Sequence, residues 1–368
     1  MKWIMIMAVM AGLSGAAGAA EFSDLQRLGP AGVAGLEARV VEVPAVNKWA
    51  VGYALDGMLN IREGRIILNT PDGRLFRLEL DPALARRYDG RTVQVEGKAM
   101  QADDLDVLKV ETIAPYTPPV KPEQAVHDPM QRPAALVSDS DAELTVNNVR
   151  WLYTRKPRPG VFDWAAATVK PALIRDIYLI KQPFPPEQLA AHSLLLMTFE
   201  KGGLTDAAGN ESFGLVLSVE AYLKQGQAYN PVTGMGNAFN IVWVLATWED
   251  YSSRSVLLNN NRLIPYKLKN FSMPQKTWLA REAVRQAAVN RAGEFYNTVT
   301  NNCTNNLIIL MNRALPEVRR IPMWEVPYSV YNIEATMPVL VPPYLQSKGL
   351  LGPELPVINA ASLYAPLP

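Results

Sequence analysis

Asn301-Asn302-Cys303-Thr304-Asn305-Asn306, followed at once by Leu307-Ile308-Ile309-Leu310-Met311, is the stretch on which the reading of this chain turns. Polar side chains able to cap a helix crowd the start of an apolar run, which predicts a helix from about Cys303 to Ala314. Cys303 then falls in the first turn, where unpaired backbone N–H groups and the positive end of the helix stabilise a thiolate. The thiolate is the nucleophilic form of cysteine. A buried cysteine commonly serves as a small hydrophobe instead. Two features favour chemistry here: the polar neighbours, and the fact that this is the one thiol in 368 residues. A single cysteine excludes an intrachain disulfide, a Cys-rich zinc site and an iron–sulfur cluster.

Working outward, a second helix is expected from Pro274 to about Arg291, its buried side supplied by Trp278, Ala280 to Val284, Ala287 and Ala288. Before it lie four strand-like runs: Ile174–Ile180, Ser193–Phe199, Phe213–Val219 and the strongly apolar Asn240–Thr247. Strands followed by helices define an α+β domain over residues 139–368, with the Pro-rich tail after Pro316 expected to wrap the surface irregularly. The sequence holds two histidines. His192 stands immediately before the strand at Ser193, where a strand end can aim its ring at a helix terminus and lower a thiol pKa. His127 falls among six prolines between Pro115 and Pro133 and is expected to be solvated.

Those prolines mark residues 115–138 as an extended linker. Ahead of it, residues 36–114 form a small β domain. Arg65–Asn69 and Arg74–Leu80 flank the turn Thr70-Pro71-Asp72-Gly73, and Asp81-Pro82 opens a short helix to Tyr88. Strands at Thr92–Gly97 and Val107–Ile113 follow. Short strands around one small helix suggest an OB-like barrel, with an SH3-like barrel or a meander as alternatives. Residues 1–20 have the form of a signal peptide: Lys2, the apolar run Trp3–Leu13, then Ala17-Gly18-Ala19. An exported, periplasmic product is expected, with no transmembrane span in the mature chain.

Lys+Arg 36 against Asp+Glu 35 leaves a formal charge of +1, so no nucleic-acid partner is expected. No cofactor and no metal are expected either. Gly234-Met235-Gly236 lacks the third glycine and the strand-to-helix context of a dinucleotide loop. With two histidines a polyhistidine metal site is hard to build, which leaves only an all-carboxylate magnesium or calcium site open. Asp103, Asp104 and Asp106 read as a solvated loop. The apolar Met323–Tyr331 reads first as packing and second as an acyl-site lining.

Residues from about Ile177 to Leu351 resemble the Lnb N-terminal periplasmic domain family. The matching stretches are Ala191-His192-Ser193 with its strand, Leu217-Ser218-Val219-Glu220-Ala221, Ile241 through Asp250, and Glu294-Phe295-Tyr296-Asn297-Thr298-Val299-Thr300-Asn301-Asn302-Cys303-Thr304. That family is similar to permuted papain-like thiol enzymes, among them NlpC-like amidases and lecithin:retinol acyltransferase, in which the His strand precedes the Cys helix. The resemblance implies Cys303 as nucleophile and His192 as general base; Glu220, ending the strand expected beside the His strand, is the candidate for the group that orients the ring, with a solvated strand-end carboxylate as the equal alternative. Asn302 and Tyr296 are candidate oxyanion donors, although capping and packing explain them equally well. The implied activity is cysteine-dependent acyl transfer or amide/ester hydrolysis on a cell-envelope substrate, derived from lipoprotein or peptidoglycan. Lipoprotein N-acyltransferases of the family carry membrane spans after this domain, and this sequence has no such span. The alternatives are a peptidoglycan amidase or peptidase using the same residues, and a non-catalytic binding module.

Overall fold

The computed structural model describes residues 50–100, 107–116, 126–154, 156–184, 191–322 and 340–367. The signal-peptide segment, the acidic run at Asp103, and Met323–Tyr331 lie outside the described residues. The chain is mixed α+β, mostly sheet with few helices.

The first five strands are β1 (Ala50–Arg62), β2 (Arg65–Asn69), β3 (Leu75–Glu79), β4 (Thr92–Met100) and β5 (Val107–Pro115). They close in the order β1-β2-β3-β5-β4. Closure depends on β1, which pairs with β4 from Ala50 to Met58 and with β2 from Met58 to Arg62. At this corner a Cβ on Gly57 would stand 2.6 Å from the Asn69 carbonyl oxygen, so only glycine fits. Helix α1 (Pro82–Arg86) lies between β3 and β4; Asp81 caps it by accepting from the Ala83 and Leu84 N–H groups. Alternation puts Phe76 and Leu78 inside with Val93 and Val95, leaving Arg77 and Glu79 wet.

The remaining strands form one eleven-stranded sheet. They are β6 (Ala135–Asp139), β7 (Leu144–Trp151), β8 (Asp163–Val169), β9 (Ile174–Pro183), β10 (Ala191–Phe199), β11 (Leu204–Asp206), β12 (Gly214–Tyr222), β13 (Phe239–Thr247), β14 (Ile264–Leu268), β15 (Phe295–Tyr296) and β16 (Leu351–Glu354). Their order is β11-β8-β7-β13-β12-β10-β9-β14-β16, with β6 on β7 and β15 on β13. The helices are α2 (Trp248–Ser253), which runs into a π-helical turn at Arg254–Leu258, α3 (Met273–Ala287), α4 (Cys303–Ala314) and α5 (Val341–Ser347). Alternation along β10 divides two cores. Leu195 and Met197 face Leu279, Val284, Leu307 and Met311 of α3 and α4. Leu194 and Leu196 face Trp248 and Tyr251 of α2 and the chain end at Leu363. Between β7 and α2 lies a buried ionic knot in which Asp250 holds Arg150 and, at 2.6 Å, Arg254.

Two expectations change. The Pro-rich linker is not a free tether over residues 126–139. There His127 stacks on Tyr222 with ring centroids 3.5 Å apart and bridges Lys224, Gln131 is buried, and β6 joins the sheet. Prolines at 129 and 133 permit this because the segment docks chiefly through side chains and isolated bridges rather than a continuous ladder. The C-terminal tail is likewise structural rather than a loose wrapping, since β16 pairs with β14 and Ile358 bridges Leu263. Pro353 is tolerated because β16 is the sheet edge, where a missing N–H leaves no ladder bond unmade.

Candidate active site

Helix α4 starts where the sequence places it. Asn302 is the N-cap, its side-chain oxygen accepting from the Asn305 N–H, so Cys303 is the first helical residue. The thiol is 3% exposed. His192 is half-buried near the start of β10. A break in the sheet brings the two together. The β10–β12 ladder runs from Thr198–Gly214 to Leu194–Ser218 and stops there, although β12 continues to Tyr222 along β13. Beyond the last rung the Ser193 backbone N–H is close enough to the Cys303 sulfur to favour its thiolate. Cys303 belongs to the core on the α4 side, whereas His192 shares its strand face with Leu194 and Leu196 of the other core. Thiol and ring therefore meet at the opening.

The ring is held from behind. Ser218 Oγ lies 2.7 Å from His192 Nε2 and donates to Glu220 Oε1 at 2.7 Å. A hydroxyl has one proton, so Ser218 must accept from Nε2–H. This fixes the tautomer and leaves Nδ1 as the ring nitrogen for the thiol. Glu220 Oε2 accepts from Gln131 Nε2 at 2.8 Å, and Gln131 is anchored in turn to the Ala221 carbonyl and the Leu223 N–H. Tyr251 of α2 donates to Gln182, the residue paired with His192 across β9.

Burial pushes the Cys303 thiol up, but the positive His192 ring more than offsets it, by charge and by hydrogen bond. The Ser193 N–H adds to this and holds the thiol below its ordinary value. Reciprocally, burial pushes His192 down, while the Cys303 thiolate and the Glu220 carboxylate lift it above its ordinary value. Both directions favour the thiolate–imidazolium pair.

Of the residues expected from sequence, Cys303 and His192 are brought into contact. Glu220 stands one hydroxyl away from the ring rather than on it. Asn302 is committed to structure: beyond its capping bond, its amide donates to the Thr298 carbonyl at 2.6 Å. Tyr296 packs edge-on against Tyr229. His127 lies on Tyr222 and not at the thiol. Sequence reasoning did not single out Ser218 or Gln131. Ser218 carried a signal, since it precedes Glu220 by two on one strand and must share its face. Gln131 carried none, being in a segment that reads as linker. Among the described residues no cluster of His, Cys, Asp and Glu could hold a metal ion.

The site thus sets a Cys at a helix start beside a strand-borne His, whose ring bonds a hydroxyl that in turn bonds a carboxylate, within an α+β domain. Residues 162–334 match the Lnb N-terminal periplasmic domain, the family that the motifs resemble. Residues 56–116, the barrel, match a family described as a protein of unknown function (DUF5818). No curated protein and no solved structure matches the chain. The family matched over residues 162–334 is described as a periplasmic domain, and among the described residues no helix is long and apolar enough to cross a membrane.

Proposed function

We propose that this is an exported thiol enzyme of the cell envelope that forms a thioester on Cys303 and passes the acyl group to an amine or to water. The observation that carries the proposal is the continuous line Cys303–His192–Ser218–Glu220. In the first half-reaction the Cys303 thiolate attacks the acyl carbonyl. The tetrahedral oxyanion collapses as the protonated His192 gives its proton to the leaving amine or alcohol. In the second, His192 Nδ1 takes a proton from the incoming amine or water as that group attacks the thioester carbonyl, and the thiolate departs. Ser218 and Glu220 keep the ring in one tautomer throughout and stabilise its charge. A strand-borne His preceding a helix-borne Cys in the chain also supports a permuted papain-like relationship, and the closed five-stranded order with a helix between β3 and β4 supports the OB-like reading of the barrel. A signal peptide cleaved near Ala20 is the proposed export route.

The test is to incubate the protein with cell-envelope extract and identify the Cys303 adduct by mass spectrometry. A fatty acyl adduct supports acyl transfer from lipid, and a peptide adduct supports peptidoglycan cleavage. No adduct, with envelope function retained in Cys303→Ala, would make the domain a scaffold. Turnover in H₂¹⁸O then separates the acceptors, because label enters a released carboxylate only on hydrolysis. An excluded-water site lets a bound amine compete with water at ~55 M, since positioning supplies effective molarities of ~10⁵ M or more.

A further inference from the structure

Glu294 is 2% exposed and lies on the connection between α3 and α4. Three donors from separate places converge on it. Tyr53 Oη of β1 donates to Oε2 at 3.1 Å, Arg291 Nη1 donates to the same oxygen at 3.0 Å, and Asn301 Nδ2 donates to Oε1 at 3.0 Å. Asn301 is 0% exposed and stands two residues before the nucleophile. Its Oδ1 accepts from Asn306 Nδ2 at 2.9 Å, and the same amide donates to the Asn302 carbonyl, also at 2.9 Å. A barrel hydroxyl is therefore joined to the first turn of α4 by buried hydrogen bonds alone.

The backbone fixes the same contact. Ala54 N–H donates to the Gly293 carbonyl at 2.9 Å, and Arg74 Nη2 donates to that of Ala292 at 2.7 Å. Gly293 has φ +79°, and a Cβ there would meet the Ala54 oxygen at 2.3 Å. Burial and the neighbouring Glu294 carboxylate raise Tyr53 well above its ordinary value, so its hydroxyl remains a donor at all working pH values. A barrel serving only to recruit a partner would need none of this.

We propose that Tyr53 of the barrel is a positioning residue of the thiol site, acting through Glu294 and Asn301 to set where the first turn of α4 presents Cys303. The proposal rests on the reading of Cys303 as an activated nucleophile. A sulfur that must meet both the Ser193 N–H and the His192 ring is sensitive to small displacements, because misplacement by ~1 Å can cost ~10²-fold in rate. Tyr53→Phe removes one oxygen and leaves Glu294 its other two donors, so a shift smaller than that limit is expected.

The test measures iodoacetamide alkylation of Cys303 against pH in the full chain. Tyr53→Phe should react about tenfold more slowly at pH 6, with the profile displaced to higher pH, less than the full loss of a hydrogen bond to a charged group would give because only part of it reaches the thiol. Asn301→Ser cuts the same line from the other side and should displace the profile in the same direction. Leu78→Ala, in the barrel core and off this line, should lower the melting temperature and leave the profile in place. A folded Tyr53→Phe or Asn301→Ser protein with the unaltered profile, whatever its melting temperature, overturns the proposal. An ordinary-thiol profile in the unaltered protein would instead defeat the functional reading, and the two failures are distinct.

Discussion

Replacing Ser218 by Ala isolates the role of the hydroxyl between ring and carboxylate. Ser218 is 1% exposed, and its Oγ joins His192 Nε2 to Glu220 Oε1 with two bonds of 2.7 Å. Alanine leaves the ring N–H and a carboxylate oxygen facing a methyl group. An unsatisfied buried donor costs about 1–3 kcal/mol, and the charged ring loses more than the neutral one because its N–H is the stronger donor. Charged and neutral hydrogen bonds differ by about 1–1.5 kcal/mol; at 1.36 kcal/mol per decade, this predicts a loss of thiolate–imidazolium pair, and hence of Cys303 alkylation at pH 6, of about 5- to 13-fold. The assay is iodoacetamide labelling at pH 6 followed by intact-mass analysis, with circular dichroism confirming the fold. Glu220→Gln keeps an acceptor for Ser218 but loses the charge and the bond from Gln131 Nε2; because the ring keeps its Ser218 partner, it should show a smaller deficit. If Ser218→Ala labels within twofold of the unaltered protein, the ring is oriented by something else and the reasoning fails.

Four further expectations follow from the same geometry. His192→Ala and Cys303→Ala should each abolish turnover, with the double variant no worse than either, because groups acting as a unit lose their effect together; His127→Ala should leave turnover unchanged. Asp250→Asn should cost about 3–5 kcal/mol in chemical denaturation, since it leaves the buried Arg150 and Arg254 short of their shared counter-charge. Burial pushes Asp72 up, yet Arg74 and Thr70 hold its carboxyl down at about 2. Its contribution is therefore complete above the ordinary ~4 and lost as pH falls towards about 2, and Asp72→Asn should flatten that part of the melting-temperature curve. Finally, native protein should resist proteolysis between Val126 and Asp139, and rapid cleavage there would mean the segment is not docked.

What could be read from the sequence was what local physics decides. The α4 boundaries, Cys303 to Ala314, follow from polar caps meeting an apolar run. The Asp81-Pro82 helix start and the strand at Arg65–Asn69 follow from turn and alternation signals. Strand β7 carries a weaker signal, because Asn147 and Asn148 interrupt the apolar alternation where the ladder register shifts. Helix α3 ends at Ala287, short of the expected Arg291, and Arg291 is instead drawn to Glu294. At the site, the His–Cys pairing was legible from residue scarcity, whereas the intervening Ser218 needed the strand register. Gln131 needed tertiary contact, which no local pattern encodes. The docking of the Pro-rich segment is a similar case: proline density disfavours ladders, but stacking of His127 on Tyr222 and a buried amide do not require one.

The position of β7 limits how this protein can be dissected. The sheet order places it between β8 and β13, where its segment Leu245–Ala246 is met in parallel by Val149–Arg150. An expression fragment cut at the family boundaries, residues 162–334, would begin after β7 and end before β16. It would carry Cys303, His192, Ser218 and Glu220, yet β8 and β11 would have no strand joining them to β13, and Gln131 would be missing. Sequence similarity and the unit that folds are thus different objects in this chain. Any fragment meant to retain the thiol centre has to begin at or before Val126 and extend through the tail.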